Sequence, residues 1–342
     1  MHLDFQFNKG WQKIKTVEMH TGGEPLRIPI EGLPKNPGKD ILEKRRFFRD
    51  NFDHLRTALM FEPRGHADMY GAILTEPISQ DADFGTYFTH NEGYSTMCGH
   101  AIIALTKFAL DTGYVQKEGD HPELIIDAPP GKIVATGHRV NGIIEKTSFL
   151  NVPSFLLYRD ENIEVEGIGK ITFDVAYGGA FYAFVDASEM DIELTEKDYN
   201  KLIDWGRKIK TAVAQHYEIK HPFEKDLSFL YGTIFTDKPH NKNHHSRNVC
   251  VFAEGEVDRS STGSGVSARA ALHYAKGELE LKKPITIESI LGTTMTVEAT
   301  AETTFGEHKA VIPKVTGTAH FTGTNEFWID PKDPLQKGFI FR

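Results

Sequence analysis

The amino-acid sequence predicts an α+β protein made of two similar halves. Two stretches share one design, in which a polar run containing glycine leads into a helix of apolar or small residues. Strand-like segments precede and follow both stretches. These segments occur in groups, whereas the strands of a parallel βαβ sheet alternate one by one with helices. Because the polar runs contain Cys98 and Thr262, we expect a site between the halves.

The first stretch, NEGYSTMCGHAIIALTKFALDTGY, predicts a largely buried helix over residues 98–112. Ser95 and Thr96 are candidate N-capping residues, and Gly113 suits the left-handed backbone that often ends a helix. Cys98 is therefore expected in the first turn. There the unpaired N–H groups and the positive end of the helix dipole favour a thiolate and can also bind a carboxylate.

The second stretch, DRSSTGSGVSARAALHYAKGEL, repeats this arrangement in the second half of the chain. Thr262 occupies the position corresponding to Cys98, a glycine-rich turn follows it, and the helix is expected to end at Gly277. Alanines dominate the helix, which suits burial against close neighbours. The sequence therefore predicts two helix N-termini of similar design that face a common site.

The remaining elements repeat in the same order in both halves. A charged amphipathic helix and several strands precede each buried helix, and a strand meander follows it. We predict strands within 11–30, 69–74, 84–90, 124–152, 171–187, 229–237, 248–255 and after 284, outer helices over 41–60 and 196–218, and hairpin turns at Gly131 and Asn141-Gly142. We expect the first half to span 1–150, completed by 328–342, and the second to span 151–327.

Composition limits the classes of function. The chain of 342 residues is long enough for two cores, and its net charge of −9 argues against general nucleic-acid binding. It has no apolar run long enough to span a membrane, and MHLDFQFNKGWQK lacks the apolar core of a secretion signal. Two cysteines cannot form a disulfide framework, so we expect a cytoplasmic protein. An anionic substrate would be attracted by local dipoles and not by the overall charge.

Each candidate residue has a structural alternative. Cys98 could be a buried structural thiol, although its polar, glycine-containing surroundings favour a catalytic role. Cys250 lies within the strand-like NVCVF and is interpreted as a core residue. His100 could contact a ligand or lie on the helix surface.

Two further motifs are weaker. Gly263, Gly265 and Ala268 match the G-x-G-x-x-A dinucleotide fingerprint, but the loop before them is too long for the tight strand-to-helix turn of that motif. The cluster of His240, His244, His245 and Cys250 has metal-binding residue types, yet its polar context reads better as an exposed loop. We expect neither a dinucleotide nor a metal.

Five segments together resemble the proline racemase family. They lie in the family's order over nearly the whole chain: HTGGEPLRI, GHADMYGAIL, HNEGYSTMCGHAIIAL, YGGAFYAFVDA and DRSSTGSG. The resemblance implies a diaminopimelate-epimerase-like fold, in which each half wraps a curved, mostly antiparallel sheet around a central helix. It also implies an active site in the cleft between the helix N-termini, no cofactor, an imino-acid substrate and a homodimer.

The resemblance also implies roles for individual residues. Cys98 would be the general base that removes the Cα proton. Asp258 would bind the ring ammonium, with the His100 side chain as a second candidate for that role. The substrate carboxylate would be held by the backbone amides of Gly99, His100, Gly263 and Ser264.

Thr262 decides between the activities of the family. Racemases and epimerases have a second cysteine at this position, and a threonine hydroxyl is too weak an acid to replace a thiol. The Cys/Thr pair is instead the pattern of the family's trans-3-hydroxy-L-proline dehydratases. Ser261, where the family usually has proline, is expected to alter only the loop. The alternatives are a hydroxyproline or proline epimerase or racemase, and a non-catalytic imino-acid binding protein.

Overall fold

A computed structural model describes residues 10–341, and its strands and four helices confirm the predicted α+β class. The helices are α1 (Ile41–Met60), α2 (Gly99–Asp111), α3 (Tyr199–His216) and α4 (Gly263–Lys276). The strands are β1 (Gln12–Thr21), β2 (Glu24–Glu31), β3 (Tyr70–Thr75), β4 (Phe84–His90), β5 (Gly93–Ser95), β6 (Glu123–Ala128), β7 (Gly131–Val140), β8 (Ile143–Leu150), β9 (Phe155–Val165), β10 (Gly169–Tyr177), β11 (Phe181–Asp186), β12 (Leu230–Asp237), β13 (Ser246–Phe252), β14 (Glu256–Val257), β15 (Ile285–Glu288), β16 (Thr294–Phe305), β17 (His308–Gly317) and β18 (Ala319–Ile329).

Strand pairing follows the same plan in both halves. In the first half β2 pairs with β3 and β4 with β6 in parallel, while β3–β4 and β6–β7–β8 are antiparallel. In the second half β11–β12 and β13–β15 are the parallel pairs, and β12–β13 and β15–β16–β17 are antiparallel. Parallel neighbours need a crossover, and one helix supplies each: α1 and α2 in the first half, α3 and α4 in the second.

The halves are joined through their sheets. Strand β8 pairs with β17 from Thr147 opposite Gly317 to Leu150 opposite Lys314. The chain then returns to the first half, because β18 pairs along β1 up to Ile329 opposite Gln12. The division of the chain at residue 150 stays a prediction, and residues 1–9 and 342, which it assigns to the first half, lie outside the described residues.

The central helices are buried along most of their length. Every residue of α2 up to Leu110 is buried, and so is every residue of α4 up to Leu272. Both helices are followed by a glycine at positive φ, Gly113 at 73° and Gly277 at 77°, as predicted. A helix without a solvent-exposed face can hold its N-terminus at a fixed place inside the protein.

The outer helices bury only one face. In α3 the buried residues Leu202, Gly206, Ile209 and Val213 recur every three or four positions, and most of the exposed residues are polar. A short 3-10 turn at Glu196–Asp198 takes the place of the first residues predicted for this helix. Within residues 10–341, no helix combines the length and the apolar character that crossing a membrane requires.

Candidate active site

The N-termini of the two central helices touch at a pair of glycines. A Cβ atom added to Gly99 would lie 2.5 Å from the Cα of Gly263, and one added to Gly263 would lie 2.6 Å from the Cα of Gly99. Real Cβ atoms do not approach backbone so closely, so glycine is required at both positions. The glycine at 263 is therefore explained by the close packing of the two helices, and no dinucleotide-binding turn is needed to explain it.

The sequence predicts that Cys98 lies in the first turn of α2. In the structure Cys98 is instead the N-cap residue, directly before that turn. Its backbone is extended, and its Sγ accepts a hydrogen bond from the N–H of Ala101 at 3.4 Å. The predicted caps have other contacts: Ser95 belongs to β5, and the Thr96 hydroxyl donates to the carbonyl of Gly179 at 2.8 Å. A helix whose N-cap atom is sulfur holds that atom against its own amide groups.

The electrostatic expectation for Cys98 is wrong in this closed site. Burial raises the pKa of the Cys98 thiol well above its usual value, although the Ala101 N–H and the Tyr70 hydroxyl lower it. The negative charges of Asp258 and Glu24 raise this pKa further. Loss of hydration therefore outweighs the helix terminus, and the residue is a thiol here.

His100 is the closest side-chain partner of that thiol. Its Nδ1 lies 3.1 Å from Sγ of Cys98, and its backbone carbonyl accepts a hydrogen bond from the Thr21 hydroxyl at 2.9 Å. Burial lowers the pKa of the imidazole to about 3, opposed by a hydrogen bond to the carbonyl of Pro25. The ring is therefore neutral at physiological pH and can form a hydrogen bond with the sulfur.

Thr262, the N-cap residue of α4, is held in a conformation that few threonines adopt. Its φ is 67°, its N–H donates to Oγ of Ser260 at 3.1 Å, and its own side chain makes no capping hydrogen bond. The Thr262 hydroxyl is buried and has no close hydrogen-bond partner among residues 10–341, although it lies near the Asp258 carboxylate. A β-branched residue at positive φ is strained, and such strain is concentrated at functional sites. Ser261, beside it, is also buried, and its carbonyl accepts a hydrogen bond from Asn248.

Asp258 supplies a buried carboxylate at the same place. It is 4% exposed, and its Oδ1 accepts a hydrogen bond from the N–H of Ser260 at 2.7 Å. Burial raises its pKa to about 6, although hydrogen bonding from Ser260 and from the nearby Thr262 hydroxyl lowers it. This carboxylate is therefore mostly ionised at pH 7 and well placed to hold a cation.

A second carboxylate comes from the first half. Glu24 is fully buried, and its Oε2 accepts a hydrogen bond from the N–H of Arg259 at 2.7 Å. Burial and the neighbouring Asp258 raise the pKa of Glu24 well above its usual value. The Arg259 guanidinium in turn pairs with Asp68 at 2.6 Å, so these contacts tie the first half to the loop that carries Asp258.

The first-turn amides of both helices are the candidate anion receptor. Gly99 and His100 begin α2, Gly263 and Ser264 begin α4, and amides at these positions have no partner within their own helix. The Ser264 hydroxyl is paired with the hydroxyl of Tyr182 at 2.7 Å. Two facing helix N-termini favour a carboxylate between them.

The cavity between the helices is small and enclosed. Its volume is about 20 Å³, close to the space that one water molecule needs. All seven residues predicted for the site line it: Cys98, Gly99, His100, Asp258, Thr262, Gly263 and Ser264. The roles of these residues stay predictions, but the structure brings them together.

The sequence interpretation missed the aromatic and apolar part of the cavity wall. Its other lining residues are mainly aromatic or apolar: Tyr70, Met97, Tyr182, Tyr231, Cys250 and Phe252. Cys250 is fully buried in β13, in agreement with its assignment to a strand core, and it also borders the site. The tyrosines lie on strands far apart in sequence, and their only signal was membership of strand-like segments.

The histidine loop is separate from this cavity. His240 and His245 are exposed, and Nδ1 of His244 lies 2.9 Å from the buried Glu288 carboxylate. Glu288 also accepts hydrogen bonds from Arg247 and two backbone N–H groups, so its oxygens are already used. Among residues 10–341 no group of three or more His, Cys, Asp or Glu side chains has metal-binding geometry.

Comparison with known proteins extends over the whole fold. Residues 16–340 match the proline racemase family model. A trans-3-hydroxy-L-proline dehydratase from Colwellia psychrerythraea is 52% identical, covering 96% of this chain and 93% of that protein, and a 3-hydroxyproline 2-epimerase from Burkholderia multivorans is 44% identical, covering 97% and 99%. A crystal structure of a hydroxyproline epimerase from Agrobacterium vitis with bound trans-4-OH-L-proline superposes with a TM-score of 0.92 at 27% identity, covering 98% and 96%. This chain belongs to the proline racemase family.

Proposed function

We propose that the protein is a trans-3-hydroxy-L-proline dehydratase, a hydro-lyase that needs only its own side chains and backbone amides. One observation carries the proposal most directly: two helix N-termini in contact are headed by a thiol on one side, Cys98, and by a hydroxyl on the other, Thr262. A thiol on one face can remove a proton, and a threonine hydroxyl on the other cannot return one. The 52% identity to the Colwellia dehydratase supports the same activity.

The substrate is bound by its two charged groups. Its carboxylate accepts hydrogen bonds from the first amides of α2 and α4, and its ring ammonium pairs with Asp258. Charge flows into the carboxylate as the Cα proton leaves, so the same amides stabilise the transition state more than the ground state. Since the closed cavity is about 20 Å³, entry of an imino acid requires the walls of the cleft to move apart.

Substrate binding prepares Cys98 to act as the base. The ring ammonium offsets the negative charge of Asp258, which otherwise raises the pKa of the thiol. The thiol proton leaves to water while the cleft is open, and His100, with Nδ1 at 3.1 Å from Sγ, positions the sulfur. A cationic substrate therefore favours the thiolate at the moment it is needed.

Elimination then follows on one face of the ring. In trans-3-hydroxy-L-proline the hydroxyl shares a face with the Cα hydrogen, so loss of water is a syn process. The thiolate takes the Cα proton, the electron pair of that bond forms the C2=C3 double bond, and the C3–O bond breaks. We propose that the newly formed Cys98 thiol passes its proton to the departing oxygen, which leaves as water. The enamine tautomerises to Δ1-pyrroline-2-carboxylate.

The assembly and cellular location are also proposals. The resemblance to the family supports a homodimer. Both cysteines, Cys98 and Cys250, are free, and a mechanism that depends on a reduced thiol suits the cytoplasm.

The experiment that tests the proposal is proton NMR of the purified protein in D2O with trans-3-hydroxy-L-proline, with trans-4-hydroxy-L-proline in a parallel tube. We expect loss of the 3-hydroxy substrate, growth of pyrroline-carboxylate signals, and no epimer of the 4-hydroxy compound. Intact 3-hydroxy substrate after extended incubation would contradict the proposal, and binding without any reaction would indicate an imino-acid binding protein.

An epimerase is the second candidate. The Burkholderia relative at 44% identity and the Agrobacterium structure at 27% both have epimerase names. Against this reading stands Thr262, whose hydroxyl lacks the acidity to protonate the second face. Formation of an epimer of the 4-hydroxy compound in the same NMR experiment would favour this candidate, because inversion needs a proton donor on the second face.

A further inference from the structure

Tyr231 occupies an irregular position in the sheet of the second half. Strand β12 runs parallel to β11, and the register places Leu230 opposite Phe181 and Gly232 opposite Tyr182. Tyr231 is therefore an extra residue without a counterpart on β11. Such a bulge changes the direction of a side chain, and bulges are frequent beside active sites.

The ring of Tyr231 is fixed by aromatic neighbours. It stacks on Phe252 with ring centroids 5.3 Å apart, and it makes edge contacts with Tyr182 at 5.8 Å and His90 at 6.0 Å. The residue is 6% exposed and lines the cavity between the helices. Its hydroxyl consequently has a defined position in the wall of the site.

The hydroxyl of Tyr231 differs from those of the other two tyrosines in this wall. Tyr70 is hydrogen bonded to the Ser95 hydroxyl, and Tyr182 is hydrogen bonded to the Ser264 hydroxyl. The Tyr231 oxygen is buried and has no close hydrogen-bond partner among residues 10–341. Burial raises the pKa of Tyr231 well above its usual value, and the Tyr70 hydroxyl, whose own close partner is Ser95, lies near enough to lower it. Buried polar groups are nearly always paired, so an unpaired one that faces a cavity is suited to a ligand.

The substrate has one polar group without an assigned partner. Its carboxylate is assigned to the helix amides and its ammonium to Asp258, which leaves the 3-hydroxyl. That hydroxyl lies on the Cys98 face, away from Thr262. Resting on the proposed dehydratase function, we propose that the Tyr231 hydroxyl donates a hydrogen bond to the 3-hydroxyl oxygen and thereby selects for, and activates, the leaving group.

Tyr231 keeps its own proton throughout. The electron pair of the breaking C3–O bond stays on oxygen, which receives a proton from the Cys98 thiol and departs as water. The hydrogen bond from Tyr231 strengthens as negative charge develops on that oxygen, so it lowers the barrier to C–O cleavage and not the barrier to proton removal.

The test is Tyr231→Phe, which removes only the hydroxyl. We expect kcat/KM for dehydration of trans-3-hydroxy-L-proline to fall about a hundredfold, while the Kd of L-proline, which has no 3-hydroxyl, changes less than about threefold. In D2O the variant should return substrate that is deuterated at Cα, because proton removal continues when elimination is slow. Tyr177→Phe, which removes a buried hydroxyl paired with His221, is the matched control and should match the wild type.

Two outcomes would overturn the inference. One is dehydration by Tyr231→Phe at more than a third of the wild-type rate, and the other is an equal loss of L-proline binding, which would indicate a purely structural role. If the wild type itself fails to dehydrate the substrate, the proposed function fails instead. If Tyr231→Phe does not fold, ligand affinities of the Cys98→Ser variant, which keeps Tyr231, test the inference. We expect trans-3-hydroxy-L-proline to bind to this variant about tenfold more tightly than its cis-3 isomer or L-proline. Equal affinities would overturn the inference.

Discussion

The two halves share a fold but differ at the point where they meet. Cys98 has an ordinary extended backbone with φ of −142°, and its sulfur caps α2 by accepting from the Ala101 N–H. Thr262 has φ of 67°, makes no capping hydrogen bond with its side chain, and has a hydroxyl without a close partner among residues 10–341. The duplicated fold preserves the backbone amides on both sides, whereas the acid-base group is present on one side only. Anion binding can therefore stay symmetric while the chemistry becomes one-sided.

Replacement of the thiol tests this asymmetry most severely. For Cys98→Ser we expect dehydration to fall at least about a thousandfold, because a serine hydroxyl is far less acidic and cannot serve as the base near neutral pH. The rate is measured by NMR with trans-3-hydroxy-L-proline. Cys250→Ala, which removes the other cysteine of the chain, is the control and should stay within about tenfold of the wild type. Near-normal turnover by Cys98→Ser would contradict a one-thiol mechanism.

The buried carboxylate of the second half gives the next largest effect. Asp258→Asn should lower kcat/KM about a hundredfold or more, because a neutral amide cannot pair with the ring ammonium. In the wild type, kcat/KM should decrease as pH falls through about 6, where Asp258 takes up a proton. A pH profile that is flat between 5 and 8 would show that this carboxylate does not bind the substrate in its ionised form.

The same variant should be more stable than the wild type. The folded pKa of Asp258, about 6, lies above its ordinary value of 3.8, so the folded state binds the proton more tightly than the unfolded state. Its contribution to stability is present in full below pH 4 and is lost as pH rises through 6. We therefore expect Asp258→Asn to increase the free energy of unfolding by about 1–3 kcal/mol at pH 8, and not at pH 4. Urea melts at both pH values measure this, with the exposed Asp204→Asn as control.

The contact between the helix N-termini is the third test. In Gly99→Ala the new methyl group would lie 2.5 Å from the Cα of Gly263, so the two helices must separate. We expect a loss of about 1–3 kcal/mol of stability and a larger proportional loss of activity, because the amides of both helices move away from the carboxylate. Gly323→Ala in β18 has no neighbouring atom within 4 Å and should be tolerated. Wild-type behaviour of both variants would mean that the helices need not touch.

Much of the fold follows from local patterns in the sequence. The helix predicted over 41–60 and the strand predicted over 84–90 have those bounds in the structure, because caps, proline and apolar periodicity are local signals. The strand β9 was not predicted. The middle of its sequence, FLLYRDENIEV, is charged, so apolar and polar residues do not alternate clearly along it. In the structure this segment nevertheless pairs with β10.

The site was predictable only in part. Cys98 and Thr262 could be identified because each marks the start of a helix, a position that sequence describes well. Tyr231 could not be identified in this way. Its position in the cavity wall depends on a register shift between two strands, and its hydroxyl is of interest because it has no close partner among residues 10–341. The pKa of Cys98 also depends on long-range burial, which reverses the effect expected from the helix terminus alone.

Introducing a second thiol at residue 262 has the smallest expected effect on activity, but it tests the difference between the two faces most directly. Thr262→Cys places a second acid-base group on the opposite face, and cysteine, which is not β-branched, accepts the backbone at φ of 67° at least as well as threonine. We expect α-deuteration of trans-4-hydroxy-L-proline in D2O at about ten times the wild-type background or more, with some epimer, and no such exchange with Thr262→Ser. If Thr262→Cys folds, binds the imino acid and exchanges nothing, then the identity of residue 262 does not explain the difference between the two faces, and the asymmetry must lie in the Cys98 side of the cleft.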